Sequence, residues 1–219
     1  MILSIGGIKG GSGKTTLAIN IAVARSLKKR KVLLVDADDQ RSSTMWSQKR
    51  EELKINNTIT TIHLTGSSVL SQGKRLVNDY DDIIIDVGGR NNASLRASLL
   101  VCDIFLTPFR PRSLDIWTLE ELIVILKEAN ELNTSLKVFA VLNQADVRGK
   151  DNKEAINVCK EYPFVNPLKT VISQRKIFPN SINKGLGILE YIPMDKKAEK
   201  ELKNLISKIY LKDIKEICQ

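Results

Sequence analysis

Residues 9–16 read KGGSGKTT, and their types and spacing suit one chemistry, the cradling of a polyphosphate. Gly10, Gly11 and Gly13, with Ser12 among them, let the backbone bend tightly and turn successive N–H groups inward, and a helix opening directly afterwards adds its positive end. Lys14 then reaches the outer phosphates, and the Thr15 hydroxyl can ligate Mg2+. A strand-to-helix turn without a ligand would not need GKTT. The strict phosphate-loop pattern G-x-x-x-x-G-K-[ST] nevertheless fails at its first glycine, where Ile8 stands. A second lysine, Lys9, follows immediately, and one loop does not need two.

Two further stretches set carboxylates after apolar runs. Asp36 and Asp38 end VLLVDADDQ, and Asp86 ends DIIIDVGGR. A carboxylate that closes a buried strand and faces phosphates commonly holds Mg2+ through water. Alone, each would be an ordinary turn residue; beside the glycine-rich loop they form a constellation. Gly88 and Gly89 leave the next segment free to move and to offer N–H groups to a terminal phosphate, as nucleotide switches do.

The elements needed to position these groups are visible as apolar periodicity. Residues 2–8, 31–37, 82–87, 103–109 and 137–142 read as strands, several of them continuously apolar as strands covered on both faces should be. Residues 15–27 and 114–129 read as helices. The alternation predicts an α/β fold, one domain with a doubly wound, mostly parallel sheet flanked by helices. In such sheets ligands sit beyond the carboxyl ends of the strands, where the loop and the aspartates fall. A chain of 219 residues fits one such domain, and no repeat, low-complexity tract or Pro/Gly/Ser linker divides it. The net charge of +9 favours contact with a polyanion. Cys102, Cys159 and Cys218 are far apart and lack C-x-x-C spacing, which argues against a disulfide framework or a zinc site. No basic leader precedes the first apolar run, and no apolar segment reaches the roughly 18 residues that span a bilayer, so a cytoplasmic protein is expected.

These residues resemble the ParA/MinD group of deviant Walker A ATPases, most closely the short plasmid-partition ParA proteins. KGGSGKTT, VLLVDADDQRSSTMWS, IIIDVGGR, LTPFRPRSLDIWTL, VLNQADVRG and the late KGLGILE carry the likeness, which covers nearly the whole chain. It implies a single ParA-type ATPase domain over residues 1–219 with no separate N-terminal DNA-binding domain, ATP/ADP and Mg2+ as cofactors, and weak ATP hydrolysis. It implies that Lys9 reaches across an ATP-dependent homodimer to the partner's phosphates, as an arginine finger would. By the same likeness Asp38 orients the attacking water, Thr15 and Asp86 place Mg2+, joined by Asp36 as a further acidic strand end, Thr16 contacts the α-phosphate and Asn143 meets the adenine. The implied partners are a ParB-like or small centromere-binding protein and non-specific duplex DNA, the implied assembly a dimer or a higher polymer, and the implied location the nucleoid. Two positions depart from the family's habit: Asp39 replaces a frequent proline and Gly7 a frequent asparagine. Slower or differently regulated turnover is the expected consequence.

The remaining residues have plainer readings. His63 lies in an alternating stretch and suits a strand-surface or packing role, and Cys102 suits a small buried hydrophobe. Leu202, Leu205, Ile206 and Ile209 recur at helical spacing among lysines, which fits either a helix lying on a membrane surface, as in MinD relatives, or a last helix closing the sheet. Acidic residues interrupt its basic face, which favours packing and leaves Lys196, Lys197, Lys200 and Lys203 exposed. Arg148, Lys150, Arg175, Lys176, Lys184, Lys196 and Lys200 are candidate contacts for DNA phosphates. Besides DNA segregation, a membrane-cycling positioning ATPase and a nucleotide-dependent scaffold with negligible turnover remain as readings.

Overall fold

The computed structural model describes residues 1–55, 58–111, 116–146, 151–162 and 164–210. In chain order the elements are β1 (Ile2–Ile5), α1 (Lys14–Leu27), β2 (Val32–Ala37), α2 (Ser42–Glu52), β3 (Ile59–His63), α3 (Ser68–Leu76), β4 (Asp82–Val87) and α4 (Ala93–Val101). They continue with β5 (Ile104–Phe109), α5 (Ile116–Leu132), β6 (Lys137–Ala145), α6 (Asp151–Lys160), β7 (Asn166–Ser173), α7 (Ile177–Ile182) and α8 (Lys196–Ile209). The strands form one seven-stranded sheet in the order β3-β2-β4-β1-β5-β6-β7, and every pairing is parallel. The chain builds one half of the sheet from β1 through β4 and then crosses to the other side of β1 at β5. That reversal opens a crevice beyond the carboxyl ends of the central strands.

Both faces of the sheet are covered, and alternate residues of each strand supply the two cores. Leu3 and Ile5 of β1, Val32 and Leu34 of β2 and Ile84 of β4 pack against α1, α7 and α8. Ile2, Leu33, Val35, Ile83 and Ile85 face α4 and α5 on the other side. This is why the central strands read as unbroken apolar runs. The last helix belongs to the first core: Leu202, Leu205, Ile206 and Ile209 are all buried. Laying that helix on a lipid surface would forfeit burial worth about 2 kcal/mol for each side chain, so the packing reading holds through Tyr210. Among the described residues no helix is long and apolar enough to cross a membrane.

Polar pairs inside the first core fix how helices meet the sheet. Arg25 of α1 donates to Asp82 at the start of β4 at 2.7 Å, with both side chains 1% exposed, and its guanidinium lies 3.9 Å from the centroid of the Tyr210 ring. Replacing Arg25 would leave the buried Asp82 to the longer 3.9 Å contact with Arg30, a loss of up to about 3–5 kcal/mol. On α2, Arg50 donates to the Gly185 carbonyl at 2.8 Å and to both oxygens of Glu190, while the Trp46 indole donates to the Leu186 carbonyl. The late KGLGILE segment thereby latches α2 to the sheet's flank.

The observed boundaries differ from expectation where loops begin. β1 stops at Ile5 instead of residue 8, because the turn toward the glycine-rich loop starts at Gly6. β6 runs on to Ala145, which brings Asn143 and Gln144 under that loop. α2, α3, α4, α6, β7 and α7 were not anticipated from periodicity. Leu114, Arg148, Lys150 and Cys218 lie outside the described residues.

Candidate functional site

β1 delivers the chain into a turn over residues 6–13, and α1 opens at Lys14. Gly13 caps the helix with φ 88° and ψ 25°, a left-handed conformation suited to glycine, and a Cβ there would sit 2.3 Å from Asn143 Nδ2. The Asn143 amide donates to the Ser12 carbonyl at 2.7 Å and the Gln144 amide to the Gly11 carbonyl at 3.1 Å. With two successive carbonyls drawn toward the end of β6, peptide planarity turns the N–H groups of Ser12 and Gly13 the opposite way. The loop is thus shaped as an anion cradle by β6 as well as by its own glycines.

The two loop lysines have different environments. Lys14 is 6% exposed and donates to the Lys9 carbonyl at 2.7 Å. Burial lowers its pKa, opposed by the charges of Asp86 and Asp38. The Lys9 side chain is exposed.

Asp36 and Asp86 stand opposite each other in the β2–β4 register, and both are buried. Asp36 Oδ2 accepts from the Thr44 amide at 2.7 Å and the Thr44 hydroxyl at 2.8 Å, and Oδ1 accepts from the Asp38 amide at 3.2 Å. Asp86 Oδ2 accepts from the Ser43 hydroxyl at 2.7 Å, but Oδ1 is buried without a hydrogen-bond partner. Burial pushes the Asp86 pKa up to about 7, despite the Ser43 and Thr15 hydroxyls that favour its ionised form. Asp38, half-buried, accepts from the Gln40 amide at 3.1 Å, and a Cβ on Gly88 would come within 3.0 Å of its carboxyl carbon.

These elements converge on a cavity of about 510 Å3, lined by residues that include Gly10, Gly11, Gly13, Lys14, Thr15, Thr16 and Asp38. The opposite wall is the segment after β4. A Cβ on Gly89 would lie 2.8 Å from the Gly10 nitrogen and 3.0 Å from Lys14 Nζ, so only a glycine lets the two loops touch. The volume suits a small polyphosphate ligand. Among the described residues no group of three or more His, Cys, Asp or Glu side chains could hold a metal ion. Mg2+ is commonly held by one or two protein groups together with oxygens of a bound phosphate. The unpartnered Asp86 Oδ1 and the Thr15 hydroxyl beside it fit that ion.

The profile of the CobQ/CobB/MinD/ParA nucleotide binding domain family matches residues 3–189. The chain belongs to this family. Over 211 residues it is 25% identical to the maintenance of carboxysome distribution protein A of Halothiobacillus neapolitanus, covering 94% of this chain and 95% of that protein. In fold it is similar to a putative plasmid partition protein from Borrelia burgdorferi bound to AMPPNP, with a TM-score of 0.72, 23% identity and coverage of 97% and 98%. It is also similar to the septum site-determining protein MinD from Pyrococcus horikoshii complexed with Mg-ADP, with a TM-score of 0.70, 19% identity and 95% of each chain covered.

For this CobQ/CobB/MinD/ParA family member, the structure sorts the expected site residues into two groups. Gly10, Gly11, Gly13, Lys14, Thr15, Thr16 and Asp38 line one cavity, Asp86 is buried close enough for its charge to act on Lys14, and Lys9, next in sequence to Gly10, is exposed. Two expected roles meet a different arrangement. Asp36, expected at the metal, accepts from the Thr44 amide and hydroxyl on one oxygen and from the Asp38 amide on the other, bonds that hold the turn into α2. Asn143, expected at the adenine, is 4% exposed with its amide on the Ser12 carbonyl, while its neighbour Gln144 lines the cavity. Arg175, an expected DNA contact, pairs with Glu201 at 2.9 Å and Asp195 at 3.4 Å, whereas Lys176, Lys184, Lys196 and Lys200 are exposed. Cys102 and Cys159 are buried, and burial raises both thiol pKa values, so neither is poised as a nucleophile. Periodicity missed Ser43, Thr44, Gln144 and Arg90; the SST run a few residues after an acidic strand end was the available signal for the first two.

Proposed function

We propose that the chain is an ATP-dependent DNA partition ATPase, a single ParA-type unit that dimerises on ATP and binds duplex DNA without sequence preference. The observation that carries this reading is the division between the loop lysines: Lys14 is buried inside its own loop, and the Lys9 side chain is exposed. Lys14 and the loop amides hold the β- and γ-phosphates, and Thr16 stands at the α-phosphate. Thr15 and Asp86 hold Mg2+, which when bound neutralises charge developing on the transferring phosphoryl group. Asp38 accepts the proton side of the attacking water and aligns it. Lys9 completes the partner protomer's site, so hydrolysis waits on dimerisation. The AMPPNP and Mg-ADP found in similar folds support nucleotide and Mg2+ as ligands. Exposed Lys176, Lys184, Lys196 and Lys200, in a chain of net charge +9, supply the phosphate contacts on nucleoid DNA, with affinity falling steeply as salt rises. A ParB-like or small centromere-binding protein is the expected stimulating partner.

Light scattering of Lys9→Ala with ATP and Mg2+ tests this reading. ATP affinity should stay within about threefold of the unmodified protein, because Lys14 remains, while the ATP-dependent dimer and its DNA binding disappear. A dimer as abundant as that of the unmodified chain sinks the trans-lysine mechanism. A second reading, positioning of a protein cargo on DNA, is favoured by the near full-length match to the carboxysome distribution protein. The two part on whether a centromere-bound protein or a cargo-bound one stimulates phosphate release.

A further inference from the structure

We propose that Arg90 contacts the outermost phosphate of the bound nucleotide, as a guanidinium supplied in cis from the segment between β4 and α4. The inference rests on the reading that the cavity takes a nucleoside triphosphate. Arg90 lines the cavity together with Lys14, Asp38 and Asp39, so among the described residues it and the loop lysine are the lining cations, with the Arg110 guanidinium beside Gly11. Lys14 already faces two carboxylates, Asp86 and Asp38, and a triphosphate brings several more negative charges into the same space. A second cation on the open wall offsets that repulsion, and the fork of an arginine matches two phosphate oxygens at once.

The backbone on both sides of Arg90 is anchored. Before it, Gly89 abuts the Gly10 backbone, which fixes the wall against the phosphate loop. After it, the Asn91 amide donates to Glu121 at 3.2 Å, and the Asn92 side chain accepts from the Leu95 amide at 2.9 Å to cap α4. The guanidinium itself is exposed. Among the described residues no carboxylate forms an ion pair with Arg90, a state it shares with Arg41, Arg75 and Arg110, but of these four Arg90 alone is in the cavity lining. A held backbone carrying an uncommitted fork at the rim of an anion site is the arrangement of a phosphate sensor.

Calorimetry of Mg2+-ATP and Mg2+-ADP binding to the unmodified chain, Arg90→Ala and Arg90→Lys reads the assignment. Arg90→Ala should weaken ATP about tenfold or more and ADP by less than about twofold, since only the terminal phosphate is lost between them. Arg90→Lys should restore part of the difference, as a point charge without the fork. Equal weakening of both nucleotides, or none, overturns the proposal, as does loss of DNA binding with ATP affinity unchanged. An unmodified chain that binds neither nucleotide would overturn the reading of the cavity itself, a result distinct from all of these. Matching thermal unfolding of the three proteins shows that the variants fold.

Discussion

The ends of β2 and β4 lie side by side with Asp36 opposite Asp86, yet the two carboxylates are in opposite chemical conditions. Every oxygen of Asp36 has a protein donor, whereas Asp86 keeps a buried oxygen with none. A buried acceptor left without a donor costs about 1–3 kcal/mol, which a fold tolerates where a ligand will supply the missing contact. Burial depth and strand position cannot separate a structural aspartate from a functional one, since both share them here. Saturation of hydrogen bonds can. The adjoining residues of α2 divide the work, with Ser43 on Asp86 and Thr44 on Asp36.

The largest effect belongs to the cation on the Asp86 side. Lys14→Ala removes the buried ammonium that faces both Asp86 and the phosphate cradle. ATP affinity measured by calorimetry should fall about a thousandfold, roughly 4 kcal/mol. Undiminished affinity would show that the cradle amides suffice and that Lys14 answers only to the carboxylates.

Next in size is the contrast between the aspartates themselves, read as stability against pH without Mg2+ or nucleotide. The folded-state pKa of Asp86, about 7, stands above its ordinary value of 3.8. Across that window the folded protein retains a proton that the unfolded chain has released. Stability therefore declines as pH rises from about 4 to about 7 and stays reduced above it, by about 4 kcal/mol. Asp86→Asn should flatten the decline and raise stability at pH 8 by about 3 kcal/mol, whereas Asp36→Asn should lower it by about 2 kcal/mol through lost hydrogen bonds. Urea unfolding of both variants at pH 5 and pH 8 checks the pair; losses of equal size at pH 8 would erase the distinction.

The comparison also shows which parts of the molecule could be read from residue order. The central strands were legible because burial on both faces leaves an unbroken apolar run, as in DIIIDV of β4. The phosphate loop was legible because its glycines and lysine have few other uses. α2 was not, for SSTMWSQKREE is polar nearly throughout, and its inward face depends on Arg50, whose carboxylate partner Glu190 lies 140 positions away. The occupied state of Asp36 and the engagement of Asn143 by Ser12 were hidden for the same reason. Both are decided by donors and acceptors that the fold brings together over distances no local pattern records.

The smallest effect is the most exacting, because it tests whether Ser43 holds Asp86 in the state that matters. The Ser43 hydroxyl donates to Asp86 Oδ2 at 2.7 Å and is fully buried. Below about pH 6 the folded protein keeps Asp86 protonated, and the bond joins two neutral groups worth about 0.5–1 kcal/mol. Above about pH 8 the same bond reaches an ionised carboxylate and is roughly twice as strong. Ser43→Ala should therefore destabilise the metal-free protein by about 1 kcal/mol at pH 5 and by about 2 kcal/mol at pH 8.5. In Asp86→Asn, where no charge can develop, the same substitution should lose its pH dependence. A Ser43→Ala penalty that is constant across this range would mean that the hydroxyl supports α2 packing alone. The open Oδ1 of Asp86 would then owe nothing to Ser43, and the division of labour between neighbouring α2 residues would fall.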